Sequence, residues 1–391
     1  MSSIAALPSL RNGSGIWNGT CLDRARALAD KLAGTEDRDF VAAVEQECRL
    51  RQHLFAEGVR RYREFERPYR EPAYRIAWQA GTTVLRDYGT ASPDGPAVLI
   101  VPSLVNRADV LDLGCGRSFT EALRNRGFRP LLVDWDAPGP AELSFDLTDY
   151  ITERLEPILT EAVALNSGRP VAVAGYCMGG NLALALAVRR PAETAGLALL
   201  ATPWDFHAGD RLQIDLLETS LPALEFTIDA LGELPVDVLQ SMFTGLDPWL
   251  TPTKFIRFAR LDRTSPAAHL FVALEDWLND GVPLAGGAAR ECLKGWYVGN
   301  TTARGEWTIA GEPVQPNSLD MPSIAFIPGQ DHIVPPASAR ALADAIPGCD
   351  ARVVSAGHIG MVTGSRASEL LIEPLSNWLR ATMETACLSG D

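Results

Sequence analysis

Val-Ala-Val-Ala-Gly-Tyr-Cys-Met-Gly-Gly, residues 171–180, decides the fold of this chain. The apolar run at 171–174 predicts a buried strand, and the alternating Leu and Ala residues of 181–189 predict a helix. Between them, Gly175-x-Cys177-x-Gly179 places a reactive side chain on a sharp strand-to-helix turn. The positions two before and two after that side chain must be small if strand and helix are to approach, and Gly175 and Gly179 meet the demand. The first free N–H groups of the helix, that of Met178 foremost, would then point at an oxyanion. Cys177 is therefore the candidate nucleophile.

Working outward, short apolar strands are expected at Ala97–Val101, Pro130–Asp134, Leu197–Ala201, Ser323–Ile327 and Ala351–Ser355. An earlier strand is expected at Thr82–Tyr88, and helices at 117–126, 148–166, 336–345 and 367–383. This alternation predicts an α/β protein whose mostly parallel sheet carries helices on both faces. The rhythm stops between 206 and 300, a helical, aromatic-rich stretch that includes Phe226, Trp249, Phe255 and Trp277. An insert at that point would sit over the strand C-terminal ends, and 206–300 is expected to be a cap. Charged residues 21–66, with apolar side chains at helical spacing, predict two amphipathic helices parted near Gly34-Thr35-Glu36. The expected organisation is an N-terminal helical segment over 1–70, a core built from 71–205 and 301–391, and the insert between.

A nucleophile on such a turn needs an acid and a histidine, which follow it in that order. Asp331 comes after the 323–327 strand in Pro-Gly-Gln-Asp-His-Ile-Val-Pro-Pro. His358 comes after the 351–355 strand in Ser-Ala-Gly-His-Ile-Gly, and alone among the five histidines it stands in a glycine-flanked loop just past the last strand. Asp134 and Asp205, each just beyond a predicted strand, are rival acids. His332 either supports the site or bonds locally in its turn. The loop Val-Pro-Ser-Leu-Val-Asn at 101–106 offers a second oxyanion donor, the N–H of Val105. Gly114-Cys115-Gly116 has no strand before it and is expected to be structural. Strand, elbow, acid and histidine in this order predict an α/β-hydrolase fold with a cap insert.

Sulfur in the nucleophile position carries information of its own. A Cys beside a His can ionise to a strongly nucleophilic thiolate. When the acyl donor is itself a thioester, transfer onto Cys exchanges one thioester for another, and the acyl group stays activated for a second acceptor. The residue therefore leans towards acyl transfer over hydrolysis.

Composition removes several alternatives. The 391 residues suffice for one large enzyme domain with additions, and 47% hydrophobic residues can fill its core. A net charge of −14 argues against a nucleic-acid partner, which needs clustered Lys and Arg. Seven scattered cysteines without a C-x-x-C pair suit a reducing cytosol better than a disulfide framework or a zinc site, so no metal is expected. The first residues lack a signal-peptide pattern, and no apolar run approaches a membrane span. The expectation is a soluble cytoplasmic enzyme with no transmembrane segment.

Seven segments together resemble the polyhydroxyalkanoate synthase (PhaC) family. They are 101–113, Leu-Leu-Val-Asp-Trp at 131–135, Gly-Tyr-Cys-Met-Gly-Gly at 175–180, Ala-Thr-Pro-Trp-Asp-Phe at 201–206, Trp-Tyr-Val-Gly-Asn at 296–300, Asp-His-Ile-Val-Pro at 331–335 and Gly-His-Ile-Gly at 357–360. The resemblance implies a Cys–Asp–His triad on Cys177, Asp331 and His358. It implies (R)-3-hydroxyacyl-CoA as donor, with coenzyme A as leaving group and no bound cofactor, and a growing polyester hydroxyl as acceptor. It further implies association with polyester granules, a homodimer and, for the short members, an accessory synthase subunit. The alternative on the same fold is a hydrolase, either an intracellular polyhydroxyalkanoate depolymerase or a thioesterase. The amino-terminal region is shorter than in the long synthases, and Asp109 stands where an aromatic is common.

Overall fold

The structure, a computed structural model, describes residues 19–67, 73–89, 95–114, 116–209, 211–247 and 249–388; Cys115 of the 114–116 turn lies outside them. The chain forms two compact units, one of residues 1–67 with 249–268 and one of 68–248 with 269–391. Among the described residues no helix is long and apolar enough to cross a membrane.

In the first unit, helices α1 (Gly19–Leu32) and α2 (Asp37–Arg63) are parted at Glu36, whose extended backbone starts the second helix. Asp37 and Asp39 in the first turn of α2, and Arg60, Arg61 and Arg63 in its last, complement the helix dipole. Helix Leu250–Phe258 packs on α2 so closely that a Cβ on Gly58 would stand 2.2 Å from the Phe255 carbonyl oxygen. The Phe255 ring fits edge-on between Phe55 and Tyr62, at 6.0 and 5.8 Å. Residues 249–268 thus fall inside the 206–300 stretch by sequence and in the N-terminal unit by packing.

The second unit is organised by an eight-stranded sheet: β1 (Arg75–Ala80), β2 (Thr83–Asp87), β3 (Ala97–Val101), β4 (Arg129–Asp134), β5 (Val171–Tyr176), β6 (Thr194–Leu200), β7 (Ser323–Pro328) and β8 (Asp350–Val354). Their spatial order is β1-β2-β4-β3-β5-β6-β7-β8. Only β1 with β2 and β2 with β4 run antiparallel. From β4 to β8 every neighbouring pair is parallel. The central strands are apolar on both faces because both are covered. Leu99, Val101, Val171 and Val173 face one core cluster, and Val98, Ile100, Ala172 and Ala174 face the other.

The chain leaves β3 towards β4 on one side and returns to β5 on the other. That reversal opens a crevice beyond the C-terminal ends of β3 and β5, where doubly wound sheets place their sites. Strand β1 escapes sequence patterning because it follows a proline-rich stretch, is half exposed and carries a register shift between Ile76 and Trp78. The expected helix over 148–166 is interrupted by a wide π turn at Tyr150–Leu155. Pro157, which has no N–H to give, stands at the start of the regular helix that follows.

Residues 201–322 separate β6 from its sheet neighbour β7. They include helices Arg211–Leu231, Val236–Leu246 and Gly286–Arg290, the last continuing as a π turn over Glu291–Val298.

Candidate active site

Cys177 follows β5 with φ 54° and ψ −129°, a backbone state that side-chain-bearing residues rarely take. Its N–H donates to the Leu200 carbonyl at 2.8 Å, and its own carbonyl accepts from Gly180 N–H at 2.9 Å. The surrounding glycines are required by contact. A Cβ on Gly175 would lie 2.4 Å from Gly180 Cα, and one on Gly179 would lie 2.1 Å from the Val101 carbonyl oxygen. A Cβ on Gly180 would collide with Thr202 Oγ1 at 1.9 Å, a third constraint that the elbow spacing does not announce. Strand, helix and the loop after β3 therefore close on Cys177 from three directions.

Strands β7 and β8 deliver the expected partners. Asp331 Oδ1 accepts from the N–H groups of Ile333 and Val334 at 2.8 and 2.9 Å, which fixes the carboxylate. Its other oxygen, Oδ2, accepts from His358 Nδ1 at 2.6 Å, with both side chains buried. Burial by itself would disfavour a charged imidazole. The charge of the Cys177 sulfur, the hydrogen bond to Asp331 and the Asp331 charge overturn that and raise His358 to about 10. His358 and Asp331 thus form one buried hydrogen-bonded pair, on which the charge of the Cys177 sulfur acts. The Tyr176 ring lies tilted beside His358 at 5.1 Å and its hydroxyl donates to the His358 carbonyl at 3.4 Å. Burial, then the Cys177 and Asp331 charges, push that phenol well above its usual range, so it stays protonated. His332 is exposed to solvent.

The rival acids are engaged elsewhere. Asp134 pairs with Arg86, which also holds Asp109 at 2.8 Å. Asp205 Oδ1 accepts from Asn300 Nδ2 at 2.8 Å and from His207 N–H at 2.9 Å. Asn300 Oδ1 accepts in turn from Phe206 N–H at 3.0 Å. Thr302 donates to the Trp204 carbonyl, and Asn181, in the elbow helix, donates to Pro203 O at 2.7 Å. The segments 201–206 and 296–300 therefore form one scaffold that braces the elbow helix. Sequence singled out both segments without showing that they bind each other; only long-range pairing reveals it.

Met178 opens the helix Met178–Arg189, and its N–H belongs to the first turn, where helix geometry supplies no acceptor within the helix. Val105 lies in the loop that follows β3, whose first residues, Val101 and Pro102, approach Gly179. Its N–H donates to Ser103 Oγ at 3.0 Å, so this candidate donor is engaged within its own loop. Among the described residues no group of three or more His, Cys, Asp and Glu side chains is arranged to hold a metal ion. The arrangement can hold a proton on His358 near the Cys177 sulfur, and place an attacked carbonyl at the mouth of a helix.

Residues 96–365 match the α/β-hydrolase fold family. The chain is 30% identical over 290 residues to the poly(3-hydroxyalkanoate) polymerase subunit PhaC of Synechocystis sp., covering 72% of this chain and 77% of that one. It is 29% identical over 292 residues to the subunit of the same name in Haloferax mediterranei, covering 74% and 59%. With that of Allochromatium vinosum the identity is 28% over 300 residues, covering 75% and 83%. The chain spans about three-fifths of the length of its Haloferax and Haloarcula relatives, 59% and 60%.

Proposed function

The chain belongs to the PhaC family of poly(3-hydroxyalkanoate) polymerase subunits, on the α/β-hydrolase fold, and on that premise we propose that it transfers (R)-3-hydroxyacyl groups from coenzyme A, through a Cys177 thioester, to a growing polyester. The observation that carries this reading is the strained cysteine of the elbow beside a buried His358 whose proton is held by Asp331.

In the first half-reaction the Cys177 thiolate attacks the carbonyl of the donor thioester. The tetrahedral oxyanion is stabilised by Met178 N–H and a second donor from the loop after β3. As the intermediate collapses, the carbon–sulfur bond to coenzyme A breaks and His358 gives its proton to the departing thiolate. Now neutral, His358 takes the proton of the incoming hydroxyl, which attacks the Cys177 thioester and expels the thiolate. Asp331 holds the imidazole in the tautomer and orientation that both transfers need. Coenzyme A enters and leaves as part of the substrate; the residues need no resident cofactor for these steps.

Sulfur supports acyl transfer over hydrolysis, since the acyl-enzyme keeps the activation of the donor. In this reading the parts of the insert that lie in the second unit cap the crevice, and the polymer surface, a second copy and an accessory synthase subunit are the partners. Purified protein given 3-hydroxybutyryl-CoA should release thiol and accumulate polymer together, and Cys177→Ala should lose both. Free 3-hydroxybutyrate as the sole product would sink the reading in favour of a hydrolase.

A further inference from the structure

The loop after β3 is gripped from outside the site. Pro102 O accepts from Trp135 Nε1 at 3.1 Å, Val105 N–H is engaged by Ser103 Oγ, and Asn106 takes φ 66°. Arg107 ends this stretch and is tied on three sides. Its carbonyl accepts from Trp277 Nε1 at 2.7 Å. Its guanidinium meets Asp136, beyond β4, at 2.6 Å, and Asp280 at 2.8 Å. Trp277 and Asp280 both come from the insertion between β6 and β7. Arg107 and its two carboxylates are partly exposed, so these ion pairs contribute little to stability. What they do is fix where the loop stands.

We propose that Arg107 is a positioning residue that sets the place of Val105 N–H relative to Cys177, and that Ser103 Oγ competes with the substrate oxyanion for that N–H. The inference rests on the acyl-transfer reading in that it requires Cys177 to attack a carbonyl. Through Trp277 and Asp280 the insert holds Arg107 by main chain and side chain at once, so a shift of the insert is passed to the donor loop two residues away. With Ser103 engaged, the loop stands in its idle state. The developing oxyanion takes Val105 N–H from the Ser103 hydroxyl, an exchange of one hydrogen bond for a stronger, charge-assisted one.

The test compares wild type, Arg107→Ala, Arg107→Lys and Ser103→Ala in three assays. These are first-turnover thiol release from 3-hydroxybutyryl-CoA, acylation by p-nitrophenyl acetate, and alkylation by iodoacetamide, which needs the sulfur but builds no oxyanion. Arg107→Ala should slow both acylations about tenfold or more, since small misplacements of catalytic groups are costly. Its alkylation should be unchanged, and Arg107→Lys should recover part of the loss. Ser103→Ala should raise the acylation rates with KM unchanged. Acylation by Arg107→Ala at the wild-type rate, an equal loss of alkylation, or slower acylation in Ser103→Ala would each overturn the inference. A wild type that takes the ester but not the CoA thioester would count against the acyl-CoA reading alone, and the ester rates would still judge the loop.

Discussion

The elbow and the helix Arg211–Leu231 are both runs of the second unit in which small or apolar residues decide what the chain can do, and they stand at opposite ends of constraint. On either side of Cys177 the chain is buried from Val171 to Tyr176 and from Met178 to Gly180, and three glycines are needed by contact. Along Arg211–Leu231 only Ile214 and Ile228 are buried, while Leu212, Leu216 and Phe226 are largely exposed. The difference teaches where sequence becomes function here. Chemistry is written in residues whose alternatives are sterically forbidden, whereas the exposed helix tolerates alternatives within this chain.

The largest effect that could break this contrast is at the proposed nucleophile. In the proposed mechanism Cys177→Ala should lower thiol release from 3-hydroxybutyryl-CoA by at least about a thousandfold, because members of a catalytic unit fail together. Circular dichroism of the variant should match the wild type. Retained turnover would move the chemistry out of the elbow. Next in size is packing. Gly179→Ala sets a methyl 2.1 Å from the Val101 carbonyl oxygen, where only backbone can yield. A loss of about 3 kcal/mol in urea unfolding is expected, the upper end for overpacking. An unchanged midpoint would show the elbow to be looser than its contacts imply. Gly58→Ala in the first unit offers the same test against the Phe255 carbonyl.

These contacts also explain how much was legible beforehand. The strands from β3 to β7 were readable because burial on both faces demands unbroken apolar runs, and Gly175 and Gly179 because an elbow demands small residues at those offsets. Asp331 could be ranked above Asp134 and Asp205 only by position; the hydrogen bond to His358, and the capture of the rivals by Arg86 and Asn300, are facts of tertiary pairing. Gly180 against Thr202, Asn300 against Asp205 and Arg107 against Asp280 join residues far apart in sequence, and no local pattern encodes such pairs. Strand β1 was hidden for a different reason, since an edge strand with a shifted register lacks clean alternation.

A third prediction concerns charge. The anionic partners of His358 raise its pKa to about 10, so removing either must lower it. In an NMR titration of the ring, Cys177→Ala should show the greater fall and Asp331→Asn the lesser, following the order in which the two charges act. In the proposed mechanism the protonated ring serves the departing coenzyme A. Thiol release should therefore fall as pH rises through about 10 in the wild type, and at lower pH in Asp331→Asn. An Asp331→Asn ring that titrates with the wild type would detach the acid from the site.

The smallest expected effect lies on the exposed helix, and it tests the other half of the contrast. Leu216 and Phe226 are 60% and 76% exposed, so each loses little buried area when replaced. Glutamine keeps most of the helix propensity of leucine and exceeds that of phenylalanine. Leu216→Gln and Phe226→Gln should each shift unfolding free energy by no more than about 0.5 kcal/mol, the usual range for surface changes. Neither residue is among those that pin Cys177, His358 or Asp331, so iodoacetamide should alkylate Cys177 at the wild-type rate in both variants. A much larger loss of stability would mean that these side chains are covered in solution, and the helix would then belong with the constrained half of the molecule. Comparing the two variants at several protein concentrations separates the cases: coverage by another copy makes the loss depend on concentration, and a free surface does not.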